Sequence, residues 1–220
     1  VKLNENLEYM SEFHEFISPV VYNDIHHRIY ELLHIDINYL RDKGKKFISV
    51  IDKFKQWCYT DAQEPIFCTW GSMDLNELQR NMAYHKQKNF FDYPLFYYDI
   101  QKLFTLDRCA DPKERFPLEK SVRRLGLPIK GEFHHALEDA YYTSLVLSKI
   151  NFEALKVYKS LDLYKSPDSK EEEIYIKFPE YAKYVSRSFP SREVLMEDKT
   201  VKDMLCCKCN RMLRKKVRWF

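Results

Sequence analysis

The stretch Ile66-Phe67-Cys68-Thr69-Trp70-Gly71-Ser72-Met73-Asp74 (residues 66–74) decides the fold class. Its first five residues are a short uncharged run, the signature of a strand buried on both faces. Gly71-Ser72 breaks the run, and from Asp74 onward Leu75, Leu78 and Met82 recur at helical spacing. A buried strand that turns at a glycine into a helix is the building unit of an α/β sheet. It also places a carboxylate at the carboxyl end of a central strand, where ligand sites of open α/β sheets lie. A competing reading makes Asp74 a first-turn residue that only stabilises the helix dipole.

Elements on either side of this unit extend the same pattern. Residues 1–3 and 8–17, joined by Asn4-Glu5-Asn6, read as a hairpin. Ile25, Ile29, Leu32 and Leu33 predict a helix over 24–33. Ile48, Ile51, Phe54, Trp57 and Cys58 predict another over 47–59. Downstream, LFYYDI (95–100) reads as a second buried strand. Residues 118–125 read as a short helix closed by Gly126 and Pro128, and 136–150 as a long helix with Ala136, Ala140, Thr143, Leu147 and Ile150 on one face. The predicted class is α/β, a mixed sheet flanked by helices. KSPDSKEEE (165–173) reads as a solvated linker, and the last 50 residues as a small basic appendix.

Composition removes several function classes. A chain of 220 residues fits one domain plus an extension. It contains no 18-residue apolar stretch, so neither a membrane-spanning helix nor a membrane partner is expected. Glycine occurs only 4 times, and Gly44, Gly71, Gly126 and Gly131 cannot form GxGxxG or GxxxxGK[ST]. Nucleotide binding by a Rossmann or Walker loop is excluded. The net charge of +3 permits an anionic partner without requiring one. The 6 cysteines, with no signal peptide ahead of them, predict a reducing cytoplasm. Aromatic side chains can stack on unpaired bases, but Phe96, Tyr97 and Phe104 sit at core spacing and read as packing.

A second segment bears chemistry: GEFHHALEDA, residues 131–140. His134 and Asp139 are five apart, roughly 140° around a helix, so they cannot share a helical face. His134 is therefore expected on the loop before the helix and Asp139 on the helix itself. A metal-binding Asp on a rigid helix, with a His beside it as general base, divides the work sensibly. The competing reading is a polar helix start.

Together the segments carry a resemblance. FCTWGSMDLNEL (67–78), YYDIQKLF (97–104) and SVRRLGLPIKGEFHHALEDA (121–140) resemble, in order, motifs of the DEDDh branch of the DnaQ-like, RNase H-like 3′–5′ exonucleases. The Eri-like group and its bacterial sporulation-inhibitor relatives look nearest, and EFHEFISP (12–19) resembles their third strand. The resemblance covers residues 1–152 and implies an RNase H-like sheet. It implies removal of nucleoside 5′-monophosphates from the 3′ end of RNA or DNA, with four acids holding two divalent cations, Mg²⁺ or Mn²⁺. Asp74 and Asp139 take two of the acid positions, and His134 the general base.

Two departures stand out. The family's other two acids form Asp-x-Glu on the first strand, and no Asp in this sequence has Glu at the second position after it. Truncation before Val1 would account for this, leaving the chain without its first strand and inactive if made alone. The alternative is an inactive relative that binds nucleic-acid ends or a protein without cutting. At Leu32-Leu33-His34-Ile35, His34 stands where relatives commonly have Gly. Residues 153–220 are expected to be a linker and a basic appendix. Within it Cys206 and Cys209 have the spacing of half a zinc site, beside Arg211, Arg214, Lys215, Lys216 and Arg218. Ordinary reduced cysteines and a solvated basic tail remain the competing readings, and the sequence leaves the oligomeric state open.

Overall fold

The structure is a computed structural model. It describes residues 1–211 except 25, 28, 29, 32–34, 62, 63, 110, 112, 130, 132, 203, 204, 207 and 210. The chain divides into two compact units, Val1–Asp162 and Leu163–Phe220. The helix expected over 24–33, the His34 departure and the basic residues Arg214, Lys215, Lys216 and Arg218 fall mainly or wholly outside the described residues.

In the first unit a hairpin pairs β1 (Lys2–Leu3) with β2 (Tyr9–Ser11). Two helices follow, α1 (Ile37–Lys43) and α2 (Phe47–Cys58). Then come β3 (Cys68–Thr69), α3 (Asp74–Tyr84), β4 (Phe96–Asp99), α4 (Ile100–Arg108), α5 (Leu118–Arg124), α6 (Ala136–Leu147), α7 (Phe152–Leu155) and β5 (Ser160–Leu161). β3 and β4 run parallel, with Cys68 opposite Tyr98 and Thr69 opposite Asp99, while β4 and β5 run antiparallel. The sheet order is β3-β4-β5, the mixed sheet expected. Among the described strands, β3 is an edge of this sheet and β1-β2 form a separate one.

Successive side chains on a strand face opposite sides, and β4 uses both. Tyr97 joins Phe47, Ile51, Leu75, Met82 and Phe91 from α2, α3 and the loop after α3. Tyr98 joins Ile100, Leu103, Phe104, Val122, Tyr142 and Val146 from α4, α5 and α6. The sheet is thus covered by helices on both faces, as a parallel pair requires. Leu103, Phe104, Val122 and Val146 are fully buried, and this second cluster is the larger core.

Several expectations change in detail. β2 ends at Ser11, and the chain beyond it continues without pairing until Ile17 bridges Lys45. Gly44 permits that contact, since a Cβ there would lie 2.2 Å from the Leu40 carbonyl oxygen and 2.5 Å from the Ser18 nitrogen. On α2, Phe47, Val50, Ile51 and Cys58 are buried, whereas Ile48 is turned to solvent because it lies off that stripe. On α6 the buried face is Tyr142, Thr143, Val146 and Leu147, and Ala136 is exposed. LFYYDI is a strand only to Asp99, because Ile100 already begins α4.

The second unit holds a hairpin, β6 (Ile174–Lys177) and β7 (Ala182–Val185), then α8 (Arg192–Glu197) and α9 (Lys199–Lys202). Ile174 is buried while Tyr175 is exposed, the period of a half-buried strand. At the acidic end of the expected linker Glu171 is exposed, and the Glu173 side chain is withdrawn from solvent. Glu173 accepts hydrogen bonds from Tyr184 Oη and, at 2.5 Å, from Arg187, and Arg187 also reaches Asp198 at 3.0 Å. The Arg187 guanidinium lies 4.4 Å over the Phe189 ring. These contacts tie the hairpin to the chain entering α9. The first unit likewise runs ten residues past 152, because β5 completes its sheet.

Candidate active site

The site is built where β3 turns into α3. Gly71 adopts φ +95°, a left-handed conformation that glycine takes without Cβ strain. Thr69 Oγ1 donates to the Gly71 carbonyl oxygen at 2.6 Å. Asp99 Oδ1 accepts from the Gly71 N–H at 3.2 Å and from the Lys102 N–H at 3.0 Å. One carboxylate thus caps α4 and ties down the turn of the neighbouring strand. Met73 precedes α3 and gives it no side-chain cap, so the turn itself sets where Asp74 emerges. Asp74 lies at the surface, yet the surrounding protein desolvates its carboxyl group. That, with the negative charges of Asp99 and Asp139, raises its pKa above the ordinary Asp range.

Asp139 comes from the first turn of α6, a remote stretch of chain. Burial raises its pKa, and a hydrogen bond from the His134 N–H (3.2 Å) works against the rise. His134 sits on the loop just before α6, exposed, at φ +73°. A non-glycine residue in that region is held there by its surroundings. Two clamps do so: the bond to Asp139, and Tyr142, whose Oη bonds both the N–H (3.0 Å) and the carbonyl oxygen (3.3 Å) of Gly131. The Phe133 ring lies 4.7 Å from the Tyr142 ring and packs on the core. His134 therefore lies beside the helix that carries Asp139, as the spacing required.

The structure brings Asp74, Asp139 and His134 into one neighbourhood at the carboxyl ends of the parallel strands. Their donors suit a hard divalent cation: carboxylate oxygens, desolvated and crowded by like charge. Among the described residues no group of three or more potential metal ligands occurs. Asp99 and Tyr142 were not singled out in the sequence. An Asp between an apolar run and Ile100, Leu103 and Phe104 at helical spacing is the signal that marks Asp99 as a cap.

Cys206 and Cys209 lie in the second unit. The backbone N–H groups of Lys208 and Cys209 point to the Cys206 sulfur and lower its pKa. The Cys206 N–H donates to the Arg211 carbonyl oxygen at 2.8 Å. The described cysteines are free thiols.

Comparison with known proteins bears on the first unit. Three solved structures share the fold. The nuclease domain of 3′hExo, a DEDDh family member bound to rAMP, superposes with TM-score 0.59 at 15% identity over 73% of this chain and 80% of that one. A 3′-exonuclease whose structure concerns 3′-end specific recognition of a histone mRNA stem-loop gives 0.58 at 15% identity, covering 86% of this chain and 61% of its own. Cell-death related nuclease 4 (CRN-4) gives 0.52 at 21% identity, covering 73% and 54%. No curated protein matches the chain significantly. The family model described as Exonuclease (RNase_T) matches residues 1–147, the stretch that contains Asp74, Asp99, His134 and Asp139, and the chain belongs to that exonuclease family.

Proposed function

We propose that the protein is a divalent-metal-dependent 3′–5′ exonuclease of the DEDDh type, near the Eri-like group, acting on RNA or DNA and releasing nucleoside 5′-monophosphates. One observation carries this reading. Two carboxylates from separate segments, Asp74 and Asp139, meet with raised pKa values at the carboxyl end of the sheet, and His134 is tied beside them. Asp74 and Asp139 hold the cations. The cations that Asp74 and Asp139 would hold, Mg²⁺ or Mn²⁺, would supply charge stabilisation at the scissile phosphate and lower the pKa of the attacking water. His134 accepts the proton of that water, its exposed ring free to reach a substrate from the side. RNA 3′ ends are the favoured substrate, on the likeness to an exonuclease bound to rAMP and to one that recognises the 3′ end of a histone mRNA stem-loop.

The two remaining acids are absent from this sequence, which has no Asp-x-Glu. The edge of β3 and the separate β1-β2 sheet leave room in the topology for a strand that would bring them. The 220-residue chain alone is accordingly proposed to be inactive. The test is Mn²⁺-dependent release of mononucleotides from a 3′-labelled RNA by the full-length protein. Loss of release in Asp139→Ala supports the reading, and undiminished release overturns it.

The same missing acids favour a second reading, an exonuclease fold that binds nucleic-acid ends or a protein without hydrolysis. It predicts binding that survives EDTA and no cleavage with any metal. For the second unit, the N–H-bonded Cys206 sulfur supports Cys206 and Cys209 as half of a zinc site; zinc stoichiometry near zero on the full-length protein would end that idea. The free thiols suit a reducing compartment, and the cytoplasm is the proposed location.

A further inference from the structure

We infer that Asp99 is a positioning residue for the cation-binding carboxylate Asp74, acting through the backbone of Gly71. The inference rests on the exonuclease reading above and deepens it. Asp99 ends β4 and lies opposite Thr69, the last residue of β3, in the parallel register. It is buried. A buried carboxylate needs hydrogen-bond partners, and Asp99 finds them on two different elements. Its Oδ1 accepts the Lys102 N–H, one of the orphan donors at the start of α4. The same oxygen accepts the Gly71 N–H, 28 residues away in sequence.

The second bond matters for the site. Between the end of β3 and Asp74 the chain has four residues, and Gly71 at φ +95° is the one that reverses its course. No side chain caps α3 from Met73. Two side-chain bonds hold this turn: Thr69 Oγ1 donates to the Gly71 carbonyl oxygen, and the Gly71 N–H donates to Asp99 Oδ1. Gly71 is therefore held at both its N–H and its carbonyl oxygen, and Asp74 follows three residues later. Asp99 Oδ1 is taken up by backbone N–H groups of two elements, the turn after β3 and the start of α4. Its inferred part is to hold Asp74 in place through Gly71.

The experiment measures Mn²⁺ affinity of the full-length protein by electron paramagnetic resonance of free Mn²⁺, with circular dichroism as a fold check. Wild type is compared with Asp99→Ala, which removes the acceptor, and Asp99→Asn, which keeps an Oδ1 acceptor but drops the charge. Loss of an outer-shell partner lowers metal affinity about 10- to 100-fold, and that loss is expected for Asp99→Ala with the native spectrum retained. Asp99→Asn should stay close to wild type. Wild-type affinity in a folded Asp99→Ala overturns the inference. Equal losses in the two variants also overturn it, because charge and not position would then be at work. Should Asp99→Ala fail to fold, Gly71→Ala strains the same turn without touching Asp99. Its loss of Mn²⁺ affinity supports the inference, and its retention overturns it. A wild-type protein that binds no Mn²⁺ overturns the exonuclease reading itself, which separates the two failures.

Discussion

Acidic residues serve opposite purposes in the two units of this chain. In the first, burial pushes the pKa values of Asp74 and Asp139 up, and neighbouring carboxylates add to the rise at Asp74. In the second, Glu173 and Asp198 share the guanidinium of Arg187, and both titrate below the ordinary carboxylate range. At Glu173 burial opposes that lowering, and the bonds from Tyr184 and Arg187 outweigh it. The difference separates a structural lock from a site. Breaking a satisfied buried ion pair by removing one partner is destabilising, whereas carboxylates left in mutual repulsion fit the cation site proposed for the first unit. The lock is visible in the chain's own contacts, and the proposed site depends on a cation.

The comparison can be broken first at the site. Asp139→Ala or Asp74→Ala in the full-length protein should lower Mn²⁺-dependent mononucleotide release by at least about 100-fold, since a bound cation contributes several kcal/mol. Metal-free thermal stability should not fall, because repelling charges are removed. A drop in melting temperature with activity intact would reverse the two roles. Next in size is the core that carries both site segments. Leu103→Ala, at a fully buried position of α4, should cost about 2–5 kcal/mol in chemical denaturation of the first unit.

Acidification sharpens the contrast because the signs differ. Lowered pKa values at Glu173 and Asp198 mean that their stabilisation is present above the unfolded carboxylate pKa. It is lost as pH falls through their lower folded values. Raised pKa values at Asp74 and Asp139 mean the reverse. The metal-free first unit gains stability as pH falls through those values, and cation binding is lost over the same interval, above the usual Asp range. Hydrogen exchange followed separately in the two units, with and without Mn²⁺, reads both trends. The smallest effect is expected from Tyr142→Phe, which removes the Gly131 clamp behind His134: about 1 kcal/mol of stability and a few-fold loss in kcat, with KM unchanged. Steady-state kinetics on a short RNA tests it.

Much of the site was legible in the chain because its residues announce themselves locally. Asp74 follows a strand, a glycine and a helix start, and His134 and Asp139 straddle a helix boundary at a spacing that forbids a shared face. Asp99 was not legible, since its bond to Gly71 exists only in the parallel register of β3 and β4. Its helix was hidden for a related reason: α4 begins directly after β4 with no intervening loop, so YYDI read as one strand. The second unit was obscured by composition. IYIK and AKYV carry strand alternation, but they lie among charges that read as solvated chain. The burial of Glu173 depends on Arg187, 14 residues further on.

The central claim is that Asp74, Asp139 and His134 form a metal-dependent active site that works from the 3′ end. Its most direct test is product analysis of full-length protein on RNA labelled separately at each end, in Mn²⁺ and in EDTA, with Asp139→Ala in parallel. The account predicts labelled mononucleotide from the 3′-labelled strand at once in Mn²⁺, progressively shortened 5′-labelled strands, and neither in EDTA or in the variant. Cleavage that persists in EDTA or in Asp139→Ala, or that starts from the 5′ end, would contradict it.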